Sequence, residues 1–293
     1  MRRAYSPPEV MREKCTGCSL CLSVCPSFVF EMTDKKARVV RGEWCIGCGQ
    51  CGAVCPTEAI LHESSATGKG ARLSVRPAVT ADQLMLLLRE RRSVRNYLNK
   101  PVPKRLLEQI IEAGRYAPTG SNSQNVCYLL LTDPAEIDQL RQMAIAFFER
   151  IFKLVRNRFG AFLLQVYAGR RIVEELRESI PKIEHAKELM DKGKDRLFYD
   201  APAVMVVHAE SWDASSAFNC ALALYNCSLM ADTMEIGCCF NGYLQAAADN
   251  SRRIKKWLGI PRDHRCFGAM TLGYQGVRYR RLVKRDPAKV MWR

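Results

Sequence analysis

Long apolar runs are missing from this chain of 293 residues. Its most apolar region, Phe218 to Gly237, is broken by Asn219, Asn226, Asp232 and Glu235. A membrane needs roughly twenty consecutive apolar residues, so a spanning helix and a membrane partner are not expected. The first residues, Met1 to Pro8, carry no apolar h-region of the kind an export signal requires. The expected compartment is therefore the cytoplasm, where thiols stay reduced and structural disulfides are rare. Acidic residues are in deficit, 30 Asp and Glu against 45 Lys and Arg, for a formal charge of +15. No nucleic-acid motif accompanies that excess, and the basic residues interleave with acidic ones, which argues against nucleic acid as a partner. An anionic cofactor or an acidic electron-carrier protein suits the charge better, and much of it reads as solvated surface. Histidine is scarce, four in all; His62 reads as a solvated side chain with no partner as a ligand.

Cysteine, by contrast, is abundant, and eight of the fourteen fall into one phrase written twice. Cys15, Cys18, Cys21 and Cys25 precede Pro26; Cys45, Cys48, Cys51 and Cys55 precede Pro56. Each run reads C-x-x-C-x-x-C-x-x-x-C-P, the bacterial iron–sulfur spacing. Structural zinc prefers two C-x-x-C pairs separated by a longer span, which this is not. Gly47, Gly49 and Gly52 satisfy G-x-G-x-x-G, but they stand between cysteines with no strand before them, so they are not a dinucleotide fingerprint. They read instead as positions where backbone amides approach sulfur. Over roughly residues 8–61 the chain resembles a two-cluster bacterial ferredoxin. In such proteins the fourth cysteine of each run ligates the other cluster. The resemblance thus implies one 4Fe–4S cluster on Cys15, Cys18, Cys21 and Cys55, and another on Cys45, Cys48, Cys51 and Cys25.

Three segments follow from the pattern: a ferredoxin domain over 1–61, a polar Gly- and Ser-bearing linker over 62–79, and a larger domain over 80–293. Within the first, 29–31 and 37–40 suit two short strands about a turn at 33–36. Thr80 with Gln83 forms a capping box before an apolar helix that delivers Arg91-Arg92-Ser93-Val94-Arg95. Pro103 starts a second helix with Leu106, Leu107, Ile110 and Ile111 on one face, ending near Tyr116. It runs into Ala117-Pro118-Thr119-Gly120-Ser121-Asn122-Ser123-Gln124-Asn125, dense in hydroxyls and amides, and then a strand at 126–131. Residues 134–199 read as long charged helices, a lid or a peripheral hairpin. A strand is expected at 203–208, and a helix near 216–236 is apolar almost all round and must be buried. Cys220 and Cys227 read as packing residues, Cys127 and Cys266 as structural ones in strands, and Cys238 and Cys239 either as reactive thiols or, the commoner case, as buried inert ones.

Four motifs in the larger domain, Arg91 to Arg95, Ala117 to Asn125, Gly237 to Tyr243, and Leu272-Gly273-Tyr274 with Arg278 to Arg281, resemble the nitroreductase family of FMN flavoproteins over roughly residues 80–285. The resemblance implies an FMN phosphate held by Arg91, Arg92, Ser93 and Arg95, groups suited to charge-assisted bonds to a dianion, with Arg281, or in its place Arg280 or Arg278, as a further phosphate ligand. It implies an isoalloxazine ring against Pro118, Thr119, Gly120, Ser121, Asn122 and Gln124, and against Asn241 and Gly242. No catalytic side chain is required by that chemistry, because the flavin carries it. The expected fold is α+β: a small two-cluster ferredoxin-like domain, then a nitroreductase-like domain with a central, mostly antiparallel sheet surrounded by helices. A homodimer is implied, with the arm 278–293 wrapping the partner subunit. The expected activity is FMN-dependent reduction of an organic acceptor, a nitro compound, quinone or similar molecule. Electrons would come from ferredoxin, flavodoxin or NAD(P)H through two 4Fe–4S clusters. Reduction of an activated C=C bond, reductive dehalogenation, and a redox-sensing or electron-storage role without turnover are the alternatives.

Overall fold

The structure, a computed structural model, describes residues 5–62 and 79–293. Residues 63–78, nearly all of the expected linker, lie outside the described residues. The chain divides into two compact units. One contains the residues up to 62 together with Thr119–Gln124; the other is Val79–Pro118 with Asn125–Arg293. A short piece of the larger sequence region thus packs with the cysteine-rich unit.

In the first unit, β1 (Glu9–Val10) pairs antiparallel with β4 (Ile60–Leu61), and β2 (Phe30–Thr33) with β3 (Lys36–Val39). Asp34 and Lys35, both at positive φ, close that hairpin. Two one-turn helices, α1 (Leu20–Val24) and α2 (Gln50–Val54), carry the third cysteine of each run into the interior. The backbone repeats with the sequence: Gly17 and Gly47, Ser19 and Gly49, and Phe28 and Glu58 hold positive φ at equivalent places. The core is small, built of Val29, Phe30, Ala37 and Ile60 around Cys21 and Cys51. Metal bound at the cysteines would add folding energy to so small a core.

The second unit is a four-stranded antiparallel sheet covered by helices on both faces, as expected. Its strands are β5 (Cys127–Leu131), β6 (Ala203–Glu210), β7 (Ile236–Phe240) and β8 (His264–Tyr274), in the order β5-β6-β8-β7. Alternation along β6 sends Met205 and Val207 to one core with Leu107, Ile110, Leu224 and Cys227, and Val204 and Val206 to the other with Leu140, Phe148 and Leu244. Burial on both faces is why β6 reads as a continuous apolar run.

The helices follow the expected signals. α3 (Ala81–Glu90) starts at the Thr80–Gln83 capping box, with both reciprocal hydrogen bonds made, and α4 (Lys104–Arg115) starts after Pro103. The stretch after residue 134 is more than a peripheral hairpin. It forms three helices, α5 (Pro134–Arg156), α6 (Arg158–Ala168) and α7 (Arg170–Asp191), and α5 enters the core through Leu140, Ala144 and Phe148. α8 (Ser216–Thr233) is buried along one face only; Phe218, 67% exposed, and Tyr225 stand free on the other. α9 (Gly242–Asn250) and α10 (Arg252–Trp257) complete the unit. Residues 278–293 form no helix or strand and are exposed throughout.

Candidate cofactor sites

The eight cysteines of the repeat line two separate small cavities of similar size. Cys15, Cys18, Cys21 and Cys55 face one; Cys25, Cys45, Cys48 and Cys51 face the other. Each cavity therefore receives three thiols from one run and the fourth from the other run. Four thiols around one space is the donor set a 4Fe–4S cube takes, so the residues fit the group. Backbone amides approach the same sulfurs: Gly47 N–H donates to Cys45 Sγ at 3.4 Å and Ala59 N–H to Cys55 Sγ at 3.2 Å. Burial pushes the Cys55 thiol up, but the amides of Ala59 and Thr57 and the Thr57 hydroxyl outweigh it and bring it down. At Cys51 burial prevails and the thiol is pushed up to about 11. His62 departs from its expected solvated state. It is 8% exposed and its Nε2 lies 3.2 Å from Cys45 Sγ, at the wall of the second cavity. Its place, seven residues past the last cysteine, is the only hint the sequence carries.

In the second unit, Arg91 to Arg95 leave α3 and run beside β7. Val94 N–H donates to Cys238 O at 2.9 Å, and Ser93 bridges to Cys238. Two motifs separated by more than 140 residues thus meet along one ladder. Among the described residues, buried guanidinium nitrogens stand here without a hydrogen-bond partner: Arg91 Nε and Nη1, and Arg92 Nε. Leaving such donors unpaired is costly, and a phosphate dianion would satisfy them bidentately. The residues therefore fit an anionic group. Asp232 faces the same pair; burial pushes its carboxyl up, with Arg91 pulling it back. Burial drives the Cys238 thiol up to about 12, against the pull of Arg91. Cys239 is also raised by burial, with Arg95 and the Ser93 hydroxyl pulling the other way. Both thiols are buried. Arg281 comes to this place through its backbone, its carbonyl accepting from Arg92 Nη2 at 3.5 Å.

Asn241, 5% exposed, uses its whole side chain locally. Its Oδ1 accepts from Leu244 N–H at the start of α9, and its Nδ2 donates to Leu197 O at 2.6 Å. A carboxylate there could make the first bond but not the second. Asn241 thereby joins the β7–α9 turn to the segment after α7. Beside that junction lies a cavity of about 370 Å³, lined by Phe148, Phe152, Met190, Leu197 and Tyr243 with Lys153 and Arg196 at its wall.

Thr119, Gly120, Ser121, Asn122 and Gln124 belong to the first unit, whereas Pro118 belongs to the second. Asn122 Nδ2 donates to Ile46 O at 3.1 Å and to Gly47 O at 3.0 Å, within the second cysteine run. Tyr5 donates its hydroxyl proton to Asn122 O, and Gln124 Nε2 donates to Asn122 Oδ1. Ser121, Asn122 and Gln124 all hold positive φ. Three strained residues in one short loop are the kind of feature that persists where the surroundings over-determine it.

Residues 88–274 match the model of the nitroreductase family, and residues 14–59 match that of the 4Fe–4S dicluster domain. Among solved structures, the fold is similar to a nitroreductase with bound FMN from Bacteroides fragilis NCTC 9343, at 22% identity and a TM-score of 0.52, covering 71% of this chain and 98% of that one. It is similar also to a nitroreductase with bound FMN from Desulfitobacterium hafniense DCB-2, at 20% identity and a TM-score of 0.51, covering 71% and 97%. An FMN-dependent nitroreductase from Clostridium difficile R20291 matches at 14% identity and a TM-score of 0.51, covering 72% of this chain and 100% of that one.

Proposed function

The chain belongs to the nitroreductase family of oxidoreductases and carries a 4Fe–4S ferredoxin domain ahead of it, and we propose that it draws electrons from a low-potential carrier through two 4Fe–4S clusters to FMN and delivers them to a small organic acceptor. Bound clusters supply one-electron transfer, and bound flavin supplies the exchange between single electrons and hydride. The observation that carries the reading is the set of buried, unpartnered guanidinium nitrogens on Arg91 and Arg92 beside the 237–242 turn. It is the place where a flavin phosphate answers an unmet need of the protein.

The chain's own residues have distinct tasks. Cys15, Cys18, Cys21 and Cys55 hold one cluster; Cys25, Cys45, Cys48 and Cys51 hold the other. Arg91, Arg92, Ser93 and Arg95 bind the phosphate, with Arg281 alongside. Asn241 fixes the turn that presents the Gly242 amide, rather than offering its own side chain. Pro118 borders the ring, and within the first unit Asn122 anchors the Cys45–Cys48 loop. The aromatic cavity beside Tyr243 suits the organic acceptor. A second copy of the chain covers the apolar residues that α3 and α8 leave exposed, with the arm 278–293 reaching over it.

Anaerobic purification with iron, sulfide, zinc and flavin analysis tests the assignment. About eight iron and eight sulfide per chain, with one FMN, are expected. Reduced ferredoxin or flavodoxin should then bleach the flavin absorbance faster than NADH does. Zinc in place of iron, or a folded protein that takes up no flavin, overturns it.

A further inference from the structure

Three ligand-type side chains from three adjacent strands converge at one end of the sheet. Cys127 opens β5, His208 lies near the end of β6, and His264 opens β8. Their ligand atoms all lie within 4.8 Å of one another, and Nδ1 of His208 stands 2.9 Å from Nδ1 of His264. His208 is buried and the other two are half-buried.

Strand register assembles the trio. Cys127 is directly opposite His208 across β5 and β6, so both side chains leave the same face of the sheet. Between β6 and β8 the ladder runs regularly to Val207 opposite Gly268, then shifts by one residue. His208 consequently meets Cys266, and Glu210 meets His264. Had the register continued unshifted, Phe267 would oppose His208 and Arg265 would oppose Glu210. The face shared with Cys127 would then hold a guanidinium and a phenyl ring, and His264 would point the other way. The β-bulge at Phe267 is what turns an imidazole to this spot, a recognised use of bulges.

A thiol and two imidazoles make a borderline-soft donor set suited to zinc-class ions, not to calcium or magnesium. Burial lowers the proton affinity of His208, with neighbouring His264 acting the same way, so the imidazole is held in its neutral, ligating form. Burial raises the Cys127 thiol, and Glu210 adds to it, so a bound metal would release that proton. Outside the trio, Asn125 Nδ2 donates to Glu210 at 3.0 Å and to Asp213 at 3.1 Å, fixing carboxylates of the sign a cation needs.

We propose that Cys127, His208 and His264 form a three-ligand site for a divalent transition metal of the zinc class, with its fourth position taken by Glu210 or a water. The site does not depend on the flavin reading. The competing account is a single His208–His264 hydrogen bond that closes the end of the sheet and needs neither thiol nor metal.

The test uses the anaerobic holoprotein, treated with EDTA, desalted, given one equivalent of zinc and desalted again. Wild type should retain about one zinc per chain, with zinc-edge X-ray absorption giving one sulfur at about 2.3 Å and two nitrogens at about 2.0–2.1 Å. His264→Gln keeps a hydrogen-bonding group and Cys127→Ser keeps the shape. Each should weaken zinc binding more than about 10-fold, already the lower end for second-layer partners, with iron and flavin content unchanged as the check on folding. No zinc retained by the wild type, zinc in an all-sulfur environment, or equal retention by both variants overturns the proposal.

Discussion

A guanidinium buried without a partner loses its hydration and gains nothing in return, and hydrogen bonds involving charged groups contribute about 1.5–3 kcal/mol each. Arg91 and Arg92 present three such nitrogens together. Replacing Arg91 with Gln should therefore weaken FMN binding by about 10- to 100-fold, measured by quenching of flavin fluorescence on titration into flavin-stripped protein. Asp232 supplies the internal control, because its carboxyl faces the same arginines and competes with a phosphate for them. Asp232→Asn should tighten FMN binding several-fold. If both substitutions weakened it equally, the effect would be general loss of structure rather than loss of a phosphate ligand. Asn241 teaches a related lesson about side chains read from sequence: its polar atoms are consumed by Leu244 N–H and Leu197 O, so its influence on a flavin passes through the position of Gly242.

Local grammar accounts for most of the helices and strands. The capping box at Thr80, the proline before α4, the two-residue turn at Asp34 and Lys35, and the cysteine repeat each need only neighbouring residues, and each was legible. The features that were not legible depend on distant pairings. Nothing near Asn122 says that its amide will hold the carbonyls of Ile46 and Gly47, and nothing near His264 says that an extra residue at position 267 will turn it toward His208. α8 shows a third kind of ambiguity. Apolar residues all round a helix imply burial, but within this chain only one face is covered, while Phe218 stays 67% exposed and Leu86 of α3 49% exposed. A second copy supplies the missing cover in the proposed homodimer. Phe218→Glu combined with Leu86→Glu should shift the protein to monomer in sedimentation velocity at micromolar concentration, with the far-ultraviolet circular dichroism unchanged. A wild type already monomeric under those conditions would remove the homodimer from the proposal.

Charge is distributed unevenly along the molecule, and that has kinetic consequences. The first sixty-one residues carry eight Lys and Arg against six Asp and Glu, so nearly all of the +15 lies beyond them. The arm 278–293 concentrates it: seven basic residues stand against Asp286 alone, all of them exposed. A solvated positive field of this kind adds little to stability. It raises the encounter rate with a negatively charged protein, and it is screened as the Debye length contracts from about 10 Å at 0.1 M salt to about 3 Å at 1 M. If an acidic carrier such as ferredoxin or flavodoxin is the donor, its rate of reducing the protein should fall about 10-fold between 50 and 500 mM sodium chloride. Neutralising Lys284, Arg285 and Lys289 to Gln should lower the low-salt rate and flatten the salt dependence. Reduction by dithionite, a small anion that needs no docked surface, should be nearly insensitive to those three substitutions, which separates slower docking from damage to the cofactor sites. A carrier-driven rate indifferent to both salt and the three substitutions would mean that the basic arm has no part in electron entry and that the excess charge is only a solvated surface.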